Sequence, residues 1–162
     1  MKELLDKLSS YNLFNYLLPG TLFVATAQRI SDHNFNQDNI VVTLFVYYFI
    51  GLVISRLGSL VVEPLLTSTK FVKFAPYQKF IGACDADPKI ELLSEQNNLY
   101  RTLCALFIAL PAFKGVDVLA GHFAWPDETI GTVGLFTLFV LFAFAYRKQT
   151  AYVRKRVEAR TK

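Results

Sequence analysis

Four stretches of the chain are predominantly apolar, and polar or charged residues separate them. They are Leu13 to Ala27, Ile40 to Ser55, Thr102 to Phe113 and Ile130 to Tyr146. A helix needs about 20 predominantly apolar residues to span a bilayer, with a range of about 17 to 25. The fourth stretch meets that length, the second meets it with its flanks, and the first and third are marginal. The pattern predicts four membrane-spanning helices.

A soluble helical protein with buried core helices is the competing interpretation, because apolar runs of about 10 to 14 residues are typical of such cores. A surface helix shows an apolar stripe and a charged opposite face. The second and fourth stretches have no polar face. The composition agrees with a membrane protein, since 53% of residues are hydrophobic and 19% are charged, against about 25% charged in soluble domains.

The first stretch has a second interpretation as a cleaved signal peptide. Ala25-Thr26-Ala27 has the small-x-small form of a cleavage site after an apolar stretch. The leading segment, however, carries Glu3 and Asp6 beside its two lysines, so its charge is not clearly positive. We therefore expect this stretch to be a membrane helix.

Basic residues predict the orientation, since they concentrate on the cytoplasmic side of membrane helices. With four spans both termini lie on the same side. That side holds the basic tail and most basic residues of the long middle segment, while the opposite side holds Arg29 and Lys114. We expect a membrane protein with both termini cytoplasmic.

The predicted fold class is all-α, a polytopic membrane protein with four transmembrane helices and a short helical cytoplasmic extension. Residues 1–12 are expected to form an interfacial helix, residues 13–146 the four-helix domain, and residues 147–162 a basic cytoplasmic tail. Within the four-helix domain, residues 57–100 form a helical cytoplasmic loop. Asp87-Pro88 is typical of a helix start, with an acidic N-cap before proline.

Charge near the membrane is the first place to look for function. Arg56, Ser59 and Glu63 form one polar stripe on the second helix. The stripe could line an ion or proton path or form a gate built on a breakable Arg–Glu pair, or it could be structural, with Arg56 reaching the headgroups and Glu63 paired with Arg101. We predict that either Arg56 or Arg101 holds Glu63. The structural interpretation is favoured because buried charges usually have partners.

Small residues at a spacing of four allow close approach of membrane helices. The residues with this role in the sequence are Gly51, Ser55, Gly58 and Ser59 on the second helix and Ala105 and Ala109 on the third. We expect self-association through the second helix, with packing inside one chain as the alternative.

The cytoplasmic segments supply further candidates. Aromatic residues of the middle segment are candidate anchors for a cytosolic protein: Phe71, Phe74, Tyr77 and Phe80. The basic residues of the tail are expected to face anionic lipid: Arg147, Lys148, Arg154, Lys155 and Arg156. Nucleic acid is disfavoured as a partner, because Tyr152 is the tail's single aromatic residue.

Catalytic chemistry has almost no support in the sequence. His33 and His122 are the two histidines, and no spacing of metal ligands surrounds them. A glycine-rich phosphate loop, a zinc-protease helix and a serine elbow are absent from the sequence. We expect no catalytic residues, no metal, no cofactor and no enzymatic activity.

Three stretches carry a resemblance: YNLFNYLLPGTLF, ISRLGSLVVEPLL and DPKIELLSEQNNLYRTL. They resemble small bacterial four-pass membrane proteins, and the architecture is similar to membrane components of antiphage defence systems of the type of the Kiwa membrane subunit. The resemblance implies an inner-membrane protein that senses infection or executes the response, with a cytosolic partner.

Two functions then compete. The chain is expected to be an oligomeric membrane effector or sensor of antiphage defence that forms a pore or perturbs the bilayer. The alternative is a membrane anchor that recruits a cytosolic partner. A small ion or solute transporter comes third, and an inverted-repeat transporter is disfavoured because the two halves share no residue pattern.

Overall fold

The computed structural model describes residues 13–161. The interfacial helix expected over residues 1–12 lies outside the described residues. A π-helical turn, Leu13–Leu17, leads into the first α-helix, and a second π-helical turn, Gly58–Val62, lies between α2 and α3. The α-helices are α1 (Leu18–Ile30), α2 (Ile40–Leu57), α3 (Glu63–Ser68), α4 (Tyr77–Ala86), α5 (Lys89–His122) and α6 (Asp127–Arg160). The all-helical prediction is confirmed for this part of the chain.

Three helical stretches are long and apolar enough to cross a membrane. They are Ile40–Ser68, Lys89–His122 and Asp127–Arg160. The first combines α2, the π-helical turn and α3 in one continuous helix, so the helix runs past Pro64. Each contains one of the predicted apolar stretches and extends beyond that stretch at one or both ends.

The first apolar stretch packs antiparallel along α2. Gly20 of α1 and Gly51 of α2 meet at the crossing, and both are buried. A Cβ atom at Gly20 would overlap with the backbone carbonyl of Tyr47, and one at Gly51 would overlap with the carbonyl of Tyr16. Each glycine thus lies against the backbone of the facing helix, one helical turn before the glycine of that helix. Any side chain at either position would prevent such a close approach.

The buried core lies between α1, α2 and α5. Its members are Phe23, Val24, Ala27, Ile54, Val62, Ala105 and Leu106. Aromatic rings close the core at the end nearest the loop 31–39, where Phe113 lies edge-on to Phe23 with ring centroids 5.6 Å apart. We call this end of the bundle the loop end.

The opposite end of the bundle gathers charged residues of three helices, Glu63, Arg101 and Lys148, and we call it the charged end. Because α5 runs from the charged end to the loop end and α6 returns, the two ends are separated by the apolar parts of all the long helices. The bundle therefore has an apolar middle between two polar ends.

Helix α6 lies at the periphery of the bundle and has no buried residue. Its residues 127–137 are all exposed. It contacts the rest of the chain through its second half: Phe142 stacks on Phe49 with centroids 6.0 Å apart, and Tyr152 contacts Tyr77 at 6.4 Å. One side of the bundle is thus formed by a helix that is only partly packed.

An extension rises beyond the charged end. It consists of α4 and the polar ends of α5 and α6. Asp87 caps α5 through a side-chain oxygen that accepts from the Lys89 amide at 3.0 Å, in agreement with the predicted helix start at Asp87-Pro88. Arg160 pairs with Asp85 at 2.9 Å and ties the end of α6 to α4.

Candidate functional site

Glu63 is the centre of an ion cluster at the charged end. Its carboxylate accepts from Arg101 Nη1 of α5 and from Lys148 Nζ of α6, the latter at 2.9 Å. All three side chains are at least three-quarters buried. Arg101 is one of the two partners that the sequence predicts for Glu63. The cluster joins the three long helices at one level.

Lys148 has a second acceptor, the backbone carbonyl of Ser59, at 2.5 Å from Nζ. That carbonyl is available because of the local backbone. The Glu63 amide bonds to the Gly58 carbonyl in the π-helical turn, and the next residue, Pro64, has no N–H. Ser59 therefore loses both of its usual helical donors, and the ammonium group of Lys148 replaces them.

This placement corrects one prediction. The sequence predicts Lys148 among lipid-facing residues of the tail, but Lys148 points into the bundle because a carboxylate and an unbonded carbonyl lie there. The other four predicted tail residues are exposed: Arg147, Arg154, Lys155 and Arg156. Arg154 makes a solvent-exposed pair with Glu158 at 3.6 Å.

Arg56 lies beside the cluster but does not pair with Glu63 in the described part of the chain. Its Nη2 donates to the Tyr16 hydroxyl at 3.0 Å and joins α2 to the turn that precedes α1. The Nε atoms of Arg56 and Arg101 are buried without a hydrogen-bond partner, as is Oδ1 of Asn15. The two charged residues of the predicted polar stripe therefore have different partners: Arg56 contacts Tyr16, and Glu63 contacts Arg101 and Lys148.

The small residues predicted for self-association pack inside one chain. Gly51 faces Gly20, and Gly58 lies against Arg101 and Ala105, where an added Cβ would come within 3.3 Å of the alanine Cβ. Ser55 is fully buried, and its hydroxyl oxygen lies 3.4 Å from Thr102 Oγ1. Gly51, Ser55 and Gly58 are therefore not available to a second copy, which corrects the expected dimer surface on this helix.

The two remaining small residues also lie near the core. Ser59 is half-buried and contributes its carbonyl to Lys148. Ala109 is partly buried against the core cluster. The small residues that the sequence singles out therefore lie at the contacts between α2 and its two neighbours.

The loop end carries a smaller polar group. His33 Nε2 lies 3.0 Å from Asp117 Oδ1, and Lys114 Nζ lies 3.0 Å from Asp117 Oδ2. His122 instead contacts the ring of Phe123. The described residues contain no group of three or more side chains that could hold a metal ion.

The predicted partner anchors divide into two pairs. Tyr77 and Phe80 of α4 are half-buried, and Tyr77 packs on Tyr152 of α6. Phe71 and Phe74, in the segment between α3 and α4, are 81% and 59% exposed. The first pair holds the extension together, and the second pair is uncovered.

Sequence reasoning missed one apolar surface. Leu92 and Leu93, near the start of α5, are each 57% exposed. The signal was present, because adjacent residues on a helix point about 100° apart and cannot both face the same neighbour. One of two adjacent leucines on a projecting helix is therefore left for solvent or a partner.

The contacts at the charged end hold helices together, and the extension presents exposed side chains. Glu63, Arg101 and Lys148 are engaged with one another. The two cysteines are free, Cys84 half-buried and Cys104 exposed. Comparison of the chain with protein-family models, with curated proteins and with solved structures finds no match in any of the three.

Proposed function

We propose that the chain is a four-span membrane anchor whose extension binds a cytosolic protein at the membrane surface. The observation that carries the proposal is the pair of uncovered leucines, Leu92 and Leu93, on a helix that projects beyond the ion cluster. The proposal depends on the number of spans, on the orientation of the chain, and on the height of these leucines above the bilayer.

The packing of the first stretch supports a fourth span. The stretch from Leu13 to Ile30 is 18 residues long, or about 27 Å of helix at 1.5 Å per residue. It contacts α2 at the charged end through Tyr16 and Arg56 and at mid-height through Gly20 and Gly51. A helix that runs beside a span over this length occupies the same layer of the bilayer.

The distribution of basic residues supports a cytoplasmic charged end. Residues 70–101 and 147–161, which lie at or beyond that end, hold most of the lysines and arginines, whereas Arg29 and Lys114 lie toward the loop end. The excess of basic residues on the cytoplasmic side is the general rule for membrane proteins. Both termini are then cytoplasmic in a four-span bundle.

The height of the leucines favours a protein over lipid as their cover. Leu92 precedes Arg101 by nine residues, so it lies about 13 Å beyond the ion cluster along α5. Glu63 itself follows Ile40 by 23 residues, about 34 Å of rise, which already exceeds the hydrocarbon thickness of about 30 Å. Exposed leucines beyond the headgroups are typical of a protein-binding surface.

Reporter fusions test the topology. Fusions after residue 36 should be active in the periplasm, and fusions after residues 80 and 161 should be active in the cytoplasm. A periplasmic tail with a cytoplasmic position 80 would leave an odd number of spans after that position and would refute the four-span count. A cytoplasmic position 36 with a periplasmic position 80 would refute the orientation.

Photo-crosslinking in cells tests the partner surface. A photoreactive residue at position 92 or 93 should give one discrete heavier adduct, while the same residue at Leu135, exposed in the apolar part of α6, should not give that adduct. The variant Leu92→Lys/Leu93→Lys should abolish the partner's recovery with the membrane fraction without changing the level of the anchor itself. Equal adducts at positions 92 and 135 would contradict a specific surface.

An oligomeric membrane effector is the second candidate, and one observation favours it. Residues 130–137 of α6 leave a mainly apolar surface without a neighbour in the described chain. In this candidate, copies associate through α6 and perturb the bilayer. The resemblance to antiphage membrane components supports a bacterial infection response as the setting of either role. Membrane leakage on induction, lost on Leu135→Lys, would favour the effector over the anchor.

A further inference from the structure

A short segment between α3 and α4 combines basic and aromatic side chains. Residues Lys70 to Phe74 have the sequence KFVKF, and we call them the basic–aromatic turn. Phe71 and Phe74 are 81% and 59% exposed, and Lys70 and Lys73 are also exposed. Four of five consecutive side chains therefore face away from the protein.

The backbone folds this turn back toward the bundle. Lys70 has a φ of 60°, the left-handed conformation that non-glycine residues rarely adopt. The Val72 amide donates to the Leu66 carbonyl at 3.1 Å, which closes the end of α3. Because of this bond, the backbone at Val72 lies level with Leu66, although the chain has continued past the end of α3.

The level of the turn can be estimated from both of its ends. Leu66 follows Ile40 by 26 residues, about 39 Å of helix rise. Tyr77, just beyond the turn, packs on Tyr152, which lies one helical turn past Lys148 of the ion cluster. The hydrocarbon is about 30 Å thick and the bilayer with both headgroup layers about 40 to 45 Å, so one headgroup layer adds about 5 to 7 Å. Measured from Ile40 at the far edge of the hydrocarbon, both ends of the turn lie at the outer surface of the headgroup layer.

We propose that the basic–aromatic turn binds anionic phospholipid headgroups of the leaflet at the charged end. The phenylalanine rings enter the boundary between headgroups and acyl chains, and the lysines contact the phosphates. The proposal goes beyond the anchoring function and rests on it only for the identity of the leaflet. It reassigns Phe71 and Phe74 from a protein partner to lipid.

The surroundings of the turn favour lipid over protein. No acidic residue occurs between Glu63 and Asp85, whereas that interval holds Lys70, Lys73 and Lys79. Val61 and Leu65, one turn apart on the adjoining helix, are each 56% exposed. They extend the apolar surface of the span up to the turn. Basic and apolar side chains together match a bilayer surface, which has anionic headgroups above apolar acyl chains.

Quenching of a single tryptophan tests the contact. The chain has one tryptophan, Trp125, so the variant Trp125→Phe provides a dark background for Phe71→Trp. The full-length protein is reconstituted in vesicles of equal parts phosphatidylglycerol and phosphatidylcholine. Lipids brominated near the headgroup should quench the fluorescence of the Phe71→Trp variant strongly, and iodide in the buffer should quench it weakly.

A matched control uses the projecting helix. Leu92→Trp in the same background should show the reverse pattern, because position 92 lies beyond the headgroups. Quenching of the Phe71→Trp variant by iodide and not by brominated lipid would overturn the proposal and return Phe71 to a protein partner. This readout does not depend on the direction of insertion, so its failure is distinct from failure of the reporter fusions.

The lysines supply the charge preference. Replacing phosphatidylglycerol by phosphatidylcholine should weaken the bromolipid quenching of the Phe71→Trp variant. Lys70→Gln and Lys73→Gln, added to that variant, should each raise the phosphatidylglycerol fraction needed for half-maximal quenching. Arg29→Gln, a change to an exposed residue toward the loop end, should leave that fraction unchanged. Quenching that is equal in both lipids and insensitive to the lysines would refute recognition of anionic headgroups.

Discussion

Helices α2 and α6 are both long and apolar enough to cross a membrane, yet they lie in opposite packing environments. The residues that α2 buries are Thr43, Gly51, Ile54 and Ser55, whereas α6 buries none. Three of the four buried residues of α2 are small or polar. Lipid is as apolar as leucine, so apolar side chains gain little by leaving it for a helix contact. Hydrophobicity decides which helices enter the membrane, and small or polar residues decide which of them pack.

Glycine alone does not produce such packing. Gly131 and Gly134 of α6 have no atom within 4 Å of where a Cβ would lie, whereas Gly51 is in direct contact with the backbone of α1. The difference is the partner, because Gly51 faces another glycine. Four substitutions on the α1–α2–α5 core, each matched to the same substitution on α6, test this contrast in order of decreasing effect.

The largest effect is expected at the glycine crossing. Gly51→Leu places a side chain where the Tyr16 carbonyl lies, so α1 and α2 must separate. Unfolding of the solubilised protein, titrated with a denaturing detergent, should show a loss of more than about 3 kcal/mol. Gly134→Leu should leave the free energy of unfolding unchanged or raise it by up to about 1 kcal/mol. Equal losses at both sites would remove the distinction between core and periphery.

Breaking the ion cluster should come next. Glu63→Gln leaves Arg101 and Lys148 charged and largely buried without a carboxylate, at a cost of about 3 kcal/mol. The exposed pair on α6 provides the control, and Glu158→Gln should cost less than about 0.5 kcal/mol. The same detergent titration measures both variants. A cost for Glu63→Gln as small as that of the control would mean that solvent already screens the cluster.

A leucine pair gives an intermediate effect. Leu106 of α5 is 2% exposed and Leu135 of α6 is 71% exposed. Leu106→Ala should cost about 2 kcal/mol, at the low end of the usual range because lipid and not water solvates the separated helices. Leu135→Ala should change stability by less than about 0.5 kcal/mol in a monomer. A large loss at Leu135 would show that α6 is covered by a second copy.

The smallest effect concerns one hydroxyl group. Thr102 is fully buried and donates to the Asn98 carbonyl at 2.8 Å, and Thr137 makes the equivalent bond to Val133 on the exposed surface of α6. Thr102→Val leaves the Ser55 hydroxyl without its neighbour and should cost about 1 kcal/mol. Thr137→Val should be neutral. Identical values for the two threonines would show that the contact with Ser55 contributes nothing.

Part of this contrast follows from the sequence. The long apolar runs predict the spans, since the length of a run is a local property. The pairing of Glu63 with Arg101 follows because both residues lie beside apolar runs at the same end of the bundle. The small-residue row on α2 marks a contact surface, but the sequence does not reveal that Gly20, next to Pro19 in an apparent interruption of the first run, is its partner.

Other features required the structure. Lys148 reads as one basic residue of a basic tail, and only the π-helical turn before Pro64 reveals the carbonyl that holds it. The periphery of α6 has no local signal, because its residues are as apolar as those of α2. The exposed residues Leu92 and Leu93 can be interpreted as a protein-binding surface only when their height above the ion cluster is known.

The link between Lys148 and the Ser59 carbonyl also bears on the order in which the protein is made. Chains leave the ribosome from the N-terminus, so α1, α2 and α5 are complete before Lys148 is synthesised. Until then the Ser59 carbonyl has neither of its usual helical donors, and Glu63 has Arg101 alone. When α6 docks, Lys148 supplies one ammonium group to both acceptors. Docking of α6 is therefore a late step that follows assembly of α1, α2 and α5. Chains truncated after residue 126 should therefore already hold residues 16 and 48, whose rings lie 5.4 Å apart, within cysteine cross-linking distance.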